Sequence, residues 1–366
     1  MRLHVLGLPH TQTTARFAHC AFTQLVIRFC GMMLDEGHEV YLYSGEENEA
    51  RCTEHVALLT EKERIAEYGE WDPQSLGGQV NYSPEAGLFP TMAARAVKAI
   101  HERAQPRDTL CLTVSTQATV ARELDDVLPV EWTVGYEWPV LERCVFPSYA
   151  WMHFVYGRQQ RAGRYYDTVI PHPFDPAEFP TGTPSSDPYL LFIGRLTALK
   201  GPHVAVEIAK AAGMRLVVAG PGAVEWGDGF VTTADGMRLE GALDYVGSLG
   251  VRERAEVMGG AAATIVPTQY VEPFGLVAVE SMACGTPVIA SDWGAFVETV
   301  REWGGHRFRT LDDAVRAVES VREFPRELVA AYAHANYSTD VIGPQYTAHF
   351  ERLTQLWDDG WYSRRA

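Results

Sequence analysis

Residues 189–222 read YLLFIGRLTALKGPHVAVEIAKAAGMRLVVAGPG. An apolar run over 189–193 stops at Gly194-Arg195, apolar residues recur at helical spacing over 203–212, and a second run over 215–219 stops at Gly220-Pro221-Gly222. Short apolar runs bounded by glycine are the pattern of strands buried on both faces, and a helix between two of them makes a β-α-β unit. Parallel strands joined this way need helices over both faces of the sheet. Downstream, residues 264–267 and 287–290 supply two more strands, with a helix over 274–283 between them.

The same alternation holds upstream. Residues 2–8 (RLHVLGL) and 39–43 (EVYLY) are strand candidates around a helical pattern over 17–36, followed by strands over 109–114, 130–134 and 168–170 and a helix over 90–104. Residues 171–188, PHPFDPAEFPTGTPSSDP, break the pattern with prolines, and it then begins afresh, which marks a domain boundary. Residues 345–357 place Tyr346, Phe350, Leu353, Leu356 and Trp357 at helical spacing and need a surface for that aromatic face. The expected fold class is α/β, two doubly wound Rossmann-like domains facing a cleft: residues 1–170, residues 171–344, and a helix in 345–366 packing back on the first domain. Ligands in such sheets collect at the carboxyl ends of the strands.

Length and charge narrow the function. At 366 residues the chain is about twice the common domain size, with 46% apolar and 21% charged residues, an ordinary globular balance. A formal net charge of −16 disfavours nonspecific adhesion to nucleic acid or anionic lipid, although a local basic groove fits on an acidic protein. No apolar run reaches the length of about eighteen residues that spans a bilayer, and the start MRLHVLGLPH lacks a signal-peptide pattern, so a cytoplasmic protein is expected. The six cysteines are scattered without C-x-x-C or zinc spacing and read as reduced thiols.

The chemistry concentrates in residues 267–300, PTQYVEPFGLVAVESMACGTPVIASDWGAFVETV. Glu272-Pro273-Phe274-Gly275 is a loop that opens a helix, so the backbone N–H groups near Phe274, Gly275 and Leu276 point along the helix axis toward an anion. Glu280 lies eight residues beyond Glu272, a little over two turns, which allows one carboxylate at a sugar and the other lower in the same cleft. A second constellation, Gly194-Arg195-Leu196-x-x-x-Lys200-Gly201, sets two cations at a strand end. There a guanidinium forks to diphosphate oxygens and an ammonium adds a point charge.

Over most of residues 167–300 the chain resembles retaining glycosyltransferases of family four, which have the GT-B fold. The resemblance rests on Glu272 and Glu280, the Arg195/Lys200 pair, the AGPG turn at 219–222, Tyr245-Val246-Gly247 at a strand end, and the phrase VIPHPFDPAEFP. It implies that Glu280 holds the donor ribose, that Glu272 holds the transferred sugar, and that Arg195 and Lys200 hold the diphosphate. Gly194, Gly220, Val246, Gly247, Phe274, Gly275 and Leu276 would complete the donor site. It also implies retention of anomeric configuration, no cofactor and no required metal, with a nucleotide-sugar, UDP-glucose being the common type, as substrate. Two departures are Thr268-Gln269-Tyr270-Val271, four residues where three are common before the first Glu, and His172 where Asn is usual.

The first half is less specific. Its first βα loop, residues 7–14, offers His10, Thr11 and Gln12 to a phosphate or an acceptor hydroxyl. Glu137 or Tyr136 stands where many relatives carry a His near the reacting centre, and His153 is a further candidate. Residues 158–166, RQQRAGRYY, mix three arginines with two tyrosines, a solvated helix face or a grip for a phosphorylated or nucleic-acid acceptor. Transfer to a small metabolite, to a glycan or lipid-linked glycan, or to a modified DNA base stays open, as does a sugar-nucleotide epimerase or phosphorylase or a non-catalytic nucleotide-sugar binder on the same architecture.

Overall fold

In the computed structural model, which describes residues 1–76 and 80–358, the chain packs as two α/β units. The first comprises Met1–Trp71, Gly78–Pro173 and Thr339–Ala366; the second comprises Asp72–Gly77 and Phe174–Ser338.

The first unit is built on β1 (Arg2–Leu6), β2 (Glu39–Gly45), β3 (Glu54–Leu59), β4 (Thr109–Leu112) and β5 (Leu128–Glu131). These run parallel in the order β3-β2-β1-β4-β5, so the chain reverses its direction of travel between β1 and β4. Helices α1 (Ala21–Asp35), α2 (Glu61–Tyr68), α3 (Phe89–His101) and α4 (Ala118–Arg122) make the crossovers. Thr60 and Glu63 start α2 by exchanging side-chain and backbone hydrogen bonds in a capping box. The helical pattern predicted over 17–36 is interrupted: Ala15–Phe17 forms one tight turn and the extended backbone of Cys20 delays α1 to Ala21. The strand predicted at 168–170 does not join the main sheet. Instead β6 (Val145–Phe146) and β7 (Thr168–Val169) pair with each other across α5 (Tyr149–Gln159).

The C-terminal helix, Thr339–Asp358, belongs to this first unit and runs through Pro344, so it begins six residues before the start at Gln345 that the sequence pattern predicts. Tyr346, Phe350 and Leu353 are buried, and the Tyr346 hydroxyl donates to the Trp132 carbonyl at 2.9 Å. Phe29 stacks on Trp132 at 4.0 Å and meets Tyr346 edge-on at 5.2 Å. Burying each of these large side chains is worth about 1.5–3 kcal/mol. The Trp357 side chain, named in that pattern, lies outside the described residues.

The second unit opens with β8 (Tyr189–Ile193) and β9 (Arg215–Ala219), continues through β10 (Ala223–Gly227), β11 (Phe230–Thr233) and β12 (Arg238–Glu240), and resumes with β13 (Leu243–Tyr245), β14 (Ala263–Val266), β15 (Val288–Ser291) and β16 (Gly305–Phe308). Its helices are α6 (Pro202–Ala211), α7 (Val251–Gly260), α8 (Leu276–Ala283), α9 (Phe296–Thr299), α10 (Leu311–Ser320) and α11 (Arg326–Tyr337). The parallel sheet has the order β13-β9-β8-β14-β15-β16. Along β8, Leu191 and Ile193 enter the core on one face while Leu190 and Phe192 enter the core on the other, as alternation in a doubly covered sheet requires. The small antiparallel sheet β10-β11-β12 has no counterpart in the predicted alternation. Its turns are Asp228-Gly229 and Asp235-Gly236, each glycine at positive φ, a local hairpin signal that strand-helix periodicity does not register.

Candidate functional site

Strand order places the site of the second unit. From β8 the chain moves outward to β9 and β13, then returns to the opposite side of β8 at β14. A crevice opens outside the carboxyl ends of strands at such a reversal, here after β8 and β14. The residues that follow those two strands are Gly194-Arg195 and the loop that leads to Glu272.

Gly201 brings the two connections together. It sits at φ +75°, and a Cβ there would lie 2.2 Å from the Pro267 carbonyl oxygen, so only glycine lets the turn after β8 rest on the end of β14. Lys200, one residue earlier, then reaches Glu272: its Nζ donates to Oε2 at 2.7 Å. The loop 267–275 is pinned along its length. Ser291 Oγ donates to Thr268 O at 2.9 Å, Gln269 N to Leu199 O at 2.8 Å, Trp293 Nε1 to Tyr270 O at 3.2 Å, and Ala295 N to Glu272 O at 3.2 Å. The loop with the additional residue is therefore a fixed element, and in it the Tyr270 hydroxyl lies 2.7 Å from both Lys200 Nζ and Glu272 Oε2. Burial, then the Glu272 charge, push the Tyr270 phenol far above its ordinary pKa, and the Arg195 guanidinium acts in the opposite direction. Arg195 thus acts electrostatically on the same cluster while its own side chain stays exposed.

Gly275 ends the loop at φ +87° as the N-cap of α8, where a Cβ would strike the Phe296 ring at 2.4 Å. In the first turn of α8 Ala278 N donates back to Gly275 O at 2.9 Å, while the N–H groups of Leu276 and Val277 precede any helical acceptor, which leaves an electropositive end beside the loop that carries Glu272. Phe274 itself is buried in the core beneath this turn. Glu280, on α8, is 3% exposed and pairs with Arg254 of α7 at 3.4 Å. The two motif carboxylates therefore have different cationic partners, and Arg254, which the motif reading passes over, belongs to the second.

The glycines at the ends of β9 and β13 meet the same rim. A Cβ on Gly220 would lie 1.9 Å from Gly194 O, and Gly220 N donates to Gly247 O at 2.8 Å. Val246 is 43% exposed, so its side chain is open to a ligand. Gln74, within the short stretch Asp72–Gly77 that packs with this unit, accepts at Oε1 from Ser248 N and from the Tyr245 hydroxyl, each at 3.2 Å. Its carbonyl accepts from Gly222 N at 2.9 Å. Nothing in the local sequence around Gln74 announces that role.

In the first unit most candidates are engaged in holding the fold. Thr11 and Thr23 share a hydroxyl hydrogen bond at 2.7 Å, and Gln12 donates to Glu61 at 2.7 Å while accepting from Glu47 N at 3.0 Å. The Tyr136 hydroxyl donates to the buried Glu131, whose other oxygen accepts from Val140 N and Leu141 N at 2.7 Å each. Glu131 is a lone carboxylate at the end of an otherwise apolar strand, and such a residue in a buried strand requires partners of this kind. Glu137 pairs with Arg158 at 2.9 Å on the surface, and His153 lies on the exposed face of α5 beside Tyr149. His10, at the carboxyl end of β1, is different. Burial and then the Arg64 charge lower its pKa to about 4, so the ring is neutral at pH 7, and its Nδ1 is buried with no hydrogen-bond partner among the described residues. Among the described residues no group of three or more His, Cys, Asp or Glu is arranged to hold a metal ion, and no helix is long and apolar enough to cross a membrane.

Residues 174–327 match the family model of glycosyl transferases group 1. The second unit carries a group 1 glycosyl transferase domain. A curated relative, the D-inositol 3-phosphate glycosyltransferase of Mycobacterium tuberculosis (strain ATCC 25618 / H37Rv), is 31% identical over 167 residues, 43% of this chain. The match spans only 35% of that relative's length. Among solved structures, AviGT4, a glycosyltransferase involved in avilamycin A biosynthesis, aligns with TM-score 0.67 and 20% identity over 97% of this chain and 98% of its own. Anabaena HepE in complex with UDP and glucose aligns with TM-score 0.65 and 14% identity over 96% of this chain and 99% of its own. At these identities the likeness establishes the fold alone, GT-B with Rossmann-like α/β domains; the strand-helix alternation predicts the α/β domains, and the family resemblance implies GT-B. The group 1 domain contains every donor-side candidate named from the sequence.

Proposed function

We propose that this protein is a glycosyltransferase that moves a hexose from a nucleotide diphosphate sugar, a UDP-sugar in the first instance, to an acceptor hydroxyl with retention of anomeric configuration. The observation that carries the reading is the convergence of Lys200 and Glu272, 2.7 Å apart, at the reversal point of the sheet. A cation for a departing diphosphate and a carboxylate for vicinal sugar hydroxyls are the two groups that such a donor requires side by side. The HepE structure holds UDP and glucose on the same fold, which supports the choice of nucleotide.

As the bond to the anomeric carbon breaks, negative charge develops on the diphosphate. Lys200, Arg195 and the first turn of α8 offset it without an added metal, and each preorganised group contributes about 10²- to 10³-fold in rate. The acceptor oxygen attacks from the face the diphosphate leaves, and the leaving oxygen takes the acceptor proton. Glu272 orients the sugar, while Glu280, held by Arg254, takes the ribose hydroxyls. In the first unit the proposed acceptor-side group is His10, a neutral ring whose Nε2 lies 3.5 Å from the Tyr82 hydroxyl and whose Nδ1 has no hydrogen-bond partner among the described residues.

A thermal-shift panel of nucleotide sugars tests the reading. A donor at about 100 times its Kd adds about 2.7 kcal/mol to stability and raises Tm visibly. UDP-glucose is expected to lead the panel and to be consumed when polyol and glycan acceptors are added. A chain whose Tm no nucleotide sugar moves is not this enzyme.

A further inference from the structure

Three polar atoms at the end of β14 form a closed triangle. Lys200 Nζ, the Tyr270 hydroxyl and Glu272 Oε2 lie 2.7 Å from one another. Chemistry orders the protons within it. An ammonium only donates and a carboxylate only accepts, so the phenol accepts from Lys200 and donates to Glu272. Two of the three ammonium protons are thereby directed inward, leaving one for a ligand, and Glu272 Oε1 has no hydrogen-bond partner among the described residues.

We propose that Tyr270 is a positioning residue of the donor site, whose hydroxyl locks Lys200 and Glu272 into one joint arrangement so that the diphosphate cation and the sugar-binding carboxylate are presented together. The inference rests on the donor assignment above. Without the phenol the ion pair survives as a single contact about which two long, flexible side chains turn. With it each partner is fixed at two points. The backbone at Tyr270 is held separately, by the Trp293 indole at 3.2 Å and through Gln269 N, so the loop does not depend on the hydroxyl. The role is therefore separable from folding.

Tyr270→Phe keeps the ring and removes only the hydroxyl. Calorimetric titration with UDP alone and with UDP-glucose, together with steady-state donor turnover, reads the result beside the wild-type chain. UDP affinity is expected to stay within about threefold while kcat falls about 10- to 100-fold, because misplacement of roughly 1 Å is costly only when the sugar reacts. In a Glu272→Gln background the same substitution is expected to cost less than about threefold, the non-additivity of residues that act through one another. Wild-type kcat in Tyr270→Phe, equal losses in both backgrounds, or UDP affinity falling in step with kcat would each overturn the role. If the wild-type chain binds neither UDP nor UDP-glucose, the donor assignment falls and this inference with it, an outcome distinct from a working enzyme indifferent to the hydroxyl.

Discussion

Gly201 and Lys200 show how a single position governs the site. Alanine at 201 would have to adopt φ +75° and push the Pro267 carbonyl away from a 2.2 Å contact, backbone against Cβ. Gly201→Ala is expected to destabilise the protein by about 1–3 kcal/mol and to displace Lys200, read as a lower urea midpoint together with reduced turnover. Lys200→Ala removes the cation and leaves the turn alone; it should lower kcat/KM about 10²- to 10³-fold with an unchanged circular dichroism spectrum. Near-normal turnover would remove Lys200 from the mechanism. Arg195, Lys200, Glu272 and Gly275 are legible in the sequence because each stands within a few residues of a strand end or a helix start, where local pattern announces backbone geometry. Tyr270, Arg254 and Gln74 are not. Their significance lies in which distant residue they meet, and that is set by the packing of separate segments.

At the scale of elements, periodicity identified the central strands β1, β2, β4, β5, β8, β9, β14 and β15 with helices α1, α3, α6 and α8, and passed over the edge strands β3 and β16, the helices α2, α7, α10 and α11, and the small antiparallel ribbon. The hairpins of β10-β11-β12 are visible only through Asp-Gly pairs, since a short antiparallel ribbon buries too little to show a long apolar run. The C-terminal helix illustrates the converse, with its aromatic face readable and its start, Thr339, misread as Gln345, just after Pro344. Proline normally marks a boundary, but packing on Phe29 and Trp132 outweighs the one backbone hydrogen bond it forgoes. Phe350→Ala, a fully buried ring on that helix, should cost about 3–5 kcal/mol, measured by equilibrium denaturation. A loss below about 1 kcal/mol would mean the helix is not integral to the first unit.

Across the whole molecule, buried histidines give the first unit a pH dependence. Burial, first among the causes, lowers the pKa of His10 to about 4, of His172 to about 3 and of His349 to about 4. All three belong to the first unit. An unfolded histidine titrates near 6.5, so the unfolded chain binds more protons than the folded one between that value and the lowered ones. Their contribution is complete above about pH 6.5 and is lost as pH falls toward 4. Glu131 and Asp167, whose carboxyls burial pushes up, oppose this by holding protons in the folded state. His349 has both ring nitrogens buried without hydrogen-bond partners among the described residues, so His349→Leu should gain more stability at pH 5 than at pH 7. Equal gains at both values would show that the ring is not held neutral. By itself the chain's order of apolar runs, glycines and prolines determined the α/β class, because those signals act over a few neighbouring residues. Strand order, the reversal between β8 and β14, and the meeting of Lys200, Tyr270 and Glu272 were decided only in three dimensions, because they depend on which separated segments pack against one another.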